Sequence, residues 1–570
     1  MTLTTTAATA TAAPTPRRPW QDVVAEKRQA QADAIAAHEQ KGYVVRDPTL
    51  VDEADIAKLA ASMADGTVRA EDVTLAYIAR CIEVHKKVSD VLTEILFDEA
   101  VTRARALDAH LATHGHPVGP LHGVPMTLKD QFDVRGHDST LGYVGRAQHP
   151  AAANCVLVDM LEQLGAVIMA KTNLPQSIMW CETDNPLWGL TTHPDDARYT
   201  PGGSTGGEAV LLASRASALS WGTDIGGSIR MPSHMMGVYG LKPSSARLPY
   251  TGVAVSTEGQ EHVPSSVGPM ARSLASVRAA MEALLLPQPP GGKGPWTVDA
   301  RCVPLPWRPE LYGTLQSSRP LTVGVLWDDG VVRPHPPVAR VLQQTVALLR
   351  GAGHDVFDWD PVLHADLVAV QDAFYTVDGG EDIRRDVAAG GEPMIPHVAS
   401  LVARGPAISV YDYWQLNRRK WALQQAYLAQ WNTARSPVSG RTADVLLLPT
   451  MPHTSVPHRS CRWVGYTKVW NTLDYPALIL PAGRVEAADC AAEWPVDTAP
   501  RNEADAWNAQ LWTDNKADML RLGLPVGLQV VGRKLEEETV LAAGAVIDDL
   551  REFLDYQPFD RTAAGLHSQV

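Results

Sequence analysis

Residues 200–207 read TPGGSTGG and residues 222–232 read GTDIGGSIRMP, which places two glycine-flanked serines, Ser204 and Ser228, 24 positions apart. How these two segments are read decides the fold. Gly202 to Gly206 fits G-x-S-x-G, the nucleophile elbow of α/β-hydrolases. An elbow needs a strand directly before its serine and a helix after it, but the approach here, DDARYTPGG (195–203), carries turn residues where the strand should be. An acid and a histidine would also have to follow. His354 and His453 are available, but 18 histidines make that uninformative. A phosphate loop needs a lysine after its glycines, and neither segment has one. Glycines that serve only turns with positive φ remain the plain alternative.

A further reading uses both serines and a lysine. Amide hydrolysis requires an activated hydroxyl and donors for a tetrahedral oxyanion. In TDIGGS (223–228), successive small residues let several backbone N–H groups form one concavity beside Ser228. No histidine precedes or follows the motif closely, so a lysine must be considered as the base, as in Ser-Lys variants of the hydrolytic triad. Lys129 ends the apolar stretch GVPMTLK (123–129). Burial at a strand end would lower its pKa from roughly 10.4 and leave a neutral amine able to accept a proton.

Around these segments the chain alternates short apolar runs with helical ones. GVPMTLKD and AVIMAKTNLP read as buried strands, with the helical NCVLVDMLEQLG (154–165) between them, a β-α-β pattern. SALSWGTDIGGS reads as a helix or strand running into a glycine turn. Residues 20–38 and 51–112 have helical texture, with Val73, Ala76, Tyr77, Ala79, Ile82 and Val84 on one broad apolar face. After a Pro/Gly-rich connector (285–308) come a strand-helix-strand unit from LTVGVLWDDG to HDVFDW, a strand in ADVLLLPTMP (443–452), and a closing strand and helix from Leu524. Residues 486–518 read as an irregular surface insertion. The expectation is an α/β fold with no second independent domain: a tail over 1–18, a helical layer over 19–112, a core over 113–560 and a tail over 561–570.

The 570 residues are 45% hydrophobic and 20% charged, an ordinary globular composition. A net charge of −14 argues against a nucleic-acid binder. Six dispersed cysteines without C-x-x-C spacing point to a reducing compartment. No apolar run approaches the roughly 20 residues of a membrane helix. The Thr/Ala-rich start lacks the apolar core of a secretory signal, so a cytoplasmic location is expected.

GPLHGVPMTLKDQFDVRG (119–136), AKTNLPQSIMWCETDNPLWG (170–189), PGGSTGGEAVLLAS (201–214) and LSWGTDIGGSIRMPSHMMGVYGLKPS (219–244), in this order and spacing, resemble the amidase signature family. The resemblance covers nearly the whole chain, and RPWQDVVAEKR, CETDNPLWG, RLPYTG, STEGQEHVPSSVGP and VVRPHPPV bring it nearest to acetamidase-type amidases best known from fungi. It implies a single domain with a mixed twisted sheet covered by helices on both faces. It also implies Lys129 as base, Ser204 as bridging serine after a cis Gly203–Ser204 bond, and Ser228 as the nucleophile that forms an acyl-enzyme. The N–H groups of Ile225, Gly226, Gly227 and Ser228 would form the oxyanion hole, and Ile178 would line the substrate cleft with Met179 and Trp180 nearby. Asp224 and Arg230 are expected to hold the loop, and Lys171 matches a structural lysine. Thr205 stands where many members have a second serine, and its hydroxyl keeps the capacity for a supporting hydrogen bond. The expected reaction is hydrolysis of a small aliphatic carboxamide such as acetamide, without metal or cofactor. Alternatives are a fatty-acid or aryl amide hydrolase, a glutaminase-type amidotransferase subunit, or an inactive binding protein on the same scaffold. Homodimers are common in the family.

Overall fold

The computed structural model describes residues 18–552 apart from 287–293, 318, 493 and 495–498. Of the expected tails only Arg18 is among them, and the middle of the 285–308 connector is outside them. In chain order the strands are β1 (Leu92–Ile95), β2 (Pro125–Lys129), β3 (Val167–Thr172), the two-residue β4 (Asp184–Asn185) and β5 (Gly189–Leu190), β6 (Leu219–Asp224) and β7 (Tyr239–Lys242). They continue with β8 (Ser266–Ala271), β9 (Thr322–Val325), β10 (Asp355–Asp358), β11 (Val445–Pro449), β12 (Ala477–Arg484) and β13 (Pro525–Val531). Apart from the β4–β5 pair, they form one sheet in the order β1-β3-β2-β6-β8-β7-β12-β13-β11-β9-β10. β2 runs parallel to β3 and β6, and β9 runs parallel to β10 and β11. The remaining neighbours are antiparallel, so the sheet is mixed, and helices flank it.

The strands that matter most for the site, β2, β3 and β6, are buried at every position. This is why they read as continuous apolar runs rather than alternating ones. The expected connecting helix spans Val156–Gln163, and the chain then turns at Gly165 with φ +96°, where a Cβ would lie 2.7 Å from the backbone of His122. A side chain there would block the return into β3.

Two stretches depart from expectation. Within 51–112, expected to be helical throughout, residues 92–95 form β1, antiparallel to β3 at the sheet edge. Four residues are too few to show a strand period of their own, and only the exposed edge of β3 recruits them. The expected irregular insertion at 486–518 contains helices Ala487–Ala491 and Glu503–Leu522. The inward face of the longer helix carries Asp505 and Asn508 beside Leu511, Trp512 and Met519. Asp505 is half-hidden from the hydrophobic pattern because it is buried against Arg333, at 2.6 Å. Polar residues on the buried face masked the helical period.

Candidate active site

β2 and β6 lie side by side and parallel, with Leu128 opposite Trp221, so their C-terminal ends deliver Lys129 and Thr223 to one place. Lys129 has no exposed surface. Its Nζ donates to Ser204 Oγ at 2.6 Å and to Thr223 Oγ1 at 3.0 Å. Thr223 Oγ1 in turn donates to Gln131 Oε1 at 2.6 Å, and Gln131 is tied to the carbonyl of Ala254 at 2.8 Å. Burial lowers the Lys129 pKa to about 7, against the opposing pull of the Asp224, Glu208 and Asp130 carboxylates. A neutral amine is therefore accessible near neutral pH.

Ser204 follows a cis Gly203–Ser204 peptide bond and precedes the helix Gly206–Ala213. A Cβ on Gly203 would lie 2.7 Å from the backbone N and O of Glu182, so the loop packs backbone to backbone there. Loop rather than strand leads into Ser204, so the elbow requirement is not met. Ser228 lies four residues beyond the end of β6. The Thr205 N–H donates to the Ser228 carbonyl at 3.2 Å, which holds the two serine segments against each other. Ser204 is 1% exposed and Ser228 6%. Of the two, Ser228 lines the adjoining cleft and Ser204 lies behind it.

The carbonyls of Ile225 and Gly226 in the loop 225–228 are held by side chains from distant segments. Ile225 O accepts from Gln371 Nε2 at 2.7 Å and from the Tyr375 hydroxyl at 3.3 Å, and Gly226 O accepts from Thr467 Oγ1 at 2.6 Å. One expected donor is corrected: Gly227 N–H is already committed to Asp224 Oδ1 at 2.8 Å. The amides of Ile225, Gly226 and Ser228 have no acceptor among the described residues. Asp224 also accepts from Ile229 N–H and from the Arg230 guanidinium, and Arg230 reaches on to Thr467, Asn471 and Gln529. Burial works to raise the Asp224 pKa, but Arg230 outweighs it and holds the carboxyl well below its usual range.

The cleft has a volume of about 90 Å³. Ile178, Met179, Trp180, Met231 and Leu401 give it apolar walls, beside Ser228 and Gly226. Ile178 sits at φ +61° after Ser177 at φ +69°. Left-handed backbone at a β-branched residue is strained, and such strain concentrates at functional sites. Lys171 is buried and donates to the Asp138 carbonyl and to Ser139 Oγ, a structural role away from the two serines. Thr205 departs from expectation. Its buried Oγ1 has no hydrogen-bond partner, while its methyl lies 2.7 Å from where a Cβ on Gly222 would be.

Taken together, the site offers a buried amine of lowered pKa bonded to one serine hydroxyl, a second serine on the adjoining loop, and loop amides without an acceptor beside a cleft. Such a set can move a proton from an attacking hydroxyl and stabilise an oxyanion. The family model described as Amidase matches residues 72–541. The chain belongs to the amidase family. This amidase is 52% identical to "Amidase 1" of Gibberella moniliformis over 539 residues, which cover 94% of this chain and 99% of the relative. It is 33% identical to an acetamidase of Aspergillus oryzae, with coverage of 94% and 99%. Among solved structures, a fatty acid amide hydrolase superposes with a TM-score of 0.78 at 28% identity, over 95% of this chain and 91% of that one. The amidase is accordingly an amide hydrolase with the family's α/β fold.

Several residues around the site have no local sequence signal. Thr223 and Gln131 lie inside quoted motifs yet look like ordinary strand and loop residues. Gln371 and Tyr375 reach the donor loop from about 150 positions away in sequence, and Thr467 and Asn471 from about 240. Arg404, Arg462 and Lys468 line the cleft from two separate segments. Only folding brings them there.

Proposed function

We propose that this amidase cleaves a carboxamide to a carboxylic acid and ammonia or an amine through an acyl-enzyme on Ser228. Ser228 Oγ attacks the carbonyl carbon and passes its proton to Ser204, which passes one to neutral Lys129. The oxyanion is received by the N–H groups of Ile225, Gly226 and Ser228. The proton returns through the same relay to the leaving nitrogen as the C–N bond breaks. Water then repeats the attack, releases the acid and restores Ser228. Ile178 lines the acyl or amine side of the cleft.

The observation that carries this reading is the 2.6 Å contact between Ser204 Oγ and a fully buried lysine whose pKa is lowered to about 7. The relatives named acetamidase support a small aliphatic amide such as acetamide. The cleft volume of about 90 Å³ agrees with a small amide, since pockets for ligands of drug size begin near roughly 300 Å³. The test is hydrolysis of acetamide, benzamide, oleamide and glutamine by wild type, Lys129→Ala, Ser204→Ala and Ser228→Ala. Ser228→Ala should abolish turnover, and the other two should lower it by about 10²–10⁴-fold, the usual weight of acid–base catalysis. Wild-type turnover in Ser228→Ala would overturn the mechanism.

A further inference from the structure

Three cations line the cleft, Arg404, Arg462 and Lys468, and no carboxylate does. Lys468 Nζ pairs with Asp372 Oδ1, and Arg404 Nη1 approaches the same oxygen at 3.5 Å. One carboxylate outside the lining thus serves two cations. Arg462 has no carboxylate within ion-pair distance among the described residues. Its guanidinium instead lies 3.5 Å from the centre of the Trp507 ring. Stacking on an aromatic face fixes the guanidinium plane and leaves its N–H edges free to grip a planar anion. Arg404 and Arg462 are exposed at the mouth, whereas Lys468 is buried further in, its stem near Gly226 of the donor loop. The Glu182 carboxylate makes its hydrogen bonds to the backbone N–H groups of Arg459 and Cys461 and forms no ion pair with these cations.

A local excess of positive charge in a chain of net charge −14 is a focusing feature: a low-dielectric cleft lined by one sign of charge raises the local concentration of ligands of the other sign. For a neutral amide these charges have no partner. We propose that the substrate is an amide bearing a carboxylate away from the scissile bond, held at the cleft mouth by Arg404 and Arg462. The proposal rests on the reading that Ser228 attacks an amide bound in this cleft. It deepens that reading by naming the substrate class.

The test uses matched anilides that differ only in the charged group. On the acyl side, succinanilic acid is compared with butyranilide. On the amine side, para-acetamidobenzoate is compared with para-methylacetanilide. Wild type should favour the anionic member of at least one pair by about tenfold in kcat/KM, the scale of one or two charge-assisted hydrogen bonds at a partly exposed site. The preference should arise in KM and shrink at high salt. In Arg404→Gln/Arg462→Gln the anionic-to-neutral ratio should fall toward one, and Arg404→Lys/Arg462→Lys should retain part of it. Equal or better turnover of both neutral members by wild type, or an unchanged ratio in the glutamine variant, would overturn the proposal. Failure of the underlying reading looks different: none of the four anilides is cleaved, or cleavage persists in Ser228→Ala.

Discussion

Asp224 and Arg230 meet as a fully buried bidentate pair, with Nε donating to Oδ2 and Nη2 to Oδ1, each at 2.9 Å. The pair straddles Ser228 in sequence and is the brace of its loop. Asp224 takes the amides of Gly227 and Ile229 on either side of the serine. Arg230 ties the same loop to Thr467 and Gln529, far along the chain.

Removing one member should therefore be worse than removing both. Asp224→Ala leaves a buried guanidinium without its counter-charge, and breaking a buried pair in this way costs about 3–5 kcal/mol. Asp224→Ala should lose thermal stability and turnover together. Adding Arg230→Met should recover much of the melting temperature but not the rate, because the loop amides still lack their acceptor. A double variant no more stable than the single one would contradict this.

The pH dependence of kcat/KM should follow Lys129. With its pKa lowered to about 7 by burial, the residue is protonated and unable to accept below that value, and neutral above it. Activity should climb about tenfold per pH unit on the acid side and level off above neutrality. A flat profile across that range, with chemistry rate-limiting, would argue against a lysine base.

The same shift has a consequence for stability. The folded-state pKa of about 7 lies below the ordinary 10.5, so between these values the unfolded chain holds a proton that the folded chain has released. Stability contributed by this residue thus rises with pH across that window and is lowest below pH 7. Lys129→Met should be inactive yet at least as stable as wild type near neutral pH, with the advantage shrinking as the pH rises toward 10.5. Thermal melts of both proteins at matched pH would measure it.

Gly226 is constrained by one atom. A Cβ there would lie 2.3 Å from the Tyr375 hydroxyl, the group that helps to pin the Ile225 carbonyl. Gly226→Ala should reduce kcat by about tenfold or more, since one oxyanion donor is worth about 10²–10³ in rate and a displaced loop forfeits part of that. Gly226→Ala/Tyr375→Phe should regain part of the rate by vacating the space. If the second substitution lowered activity further, the steric account would fail.

The two serine motifs, the lysine strand and the glycine pattern were legible in the sequence because they are local. Strand β2 ends at Lys129, β6 leads into the Ser228 loop, and the Asp224–Arg230 brace spans six residues. The β-α-β unit through β3 was legible for the same reason. Strand β1 and the helix Glu503–Leu522 were not, since one exists only by pairing with the edge of β3 and the other buries Asp505 against Arg333. The hydroxyl of Thr205 was expected to keep a partner, and its surroundings give it none.

What the sequence by itself determined is the family and its reaction class, amide hydrolysis, together with the order and spacing of the Lys129, Ser204 and Ser228 motifs. What tertiary structure decided is how those groups are tuned and what they face. A lysine becomes a base only through desolvation, which at Lys129 outweighs the opposing pull of the Asp224, Glu208 and Asp130 carboxylates. The loop 225–228 beside the cleft is held by Gln371, Tyr375 and Thr467, which bind its Ile225 and Gly226 carbonyls from far along the chain. The cleft carries positive charge because two segments with no common motif converge on it. Electrostatics and packing act through distance in space, and local sequence pattern records only distance along the chain.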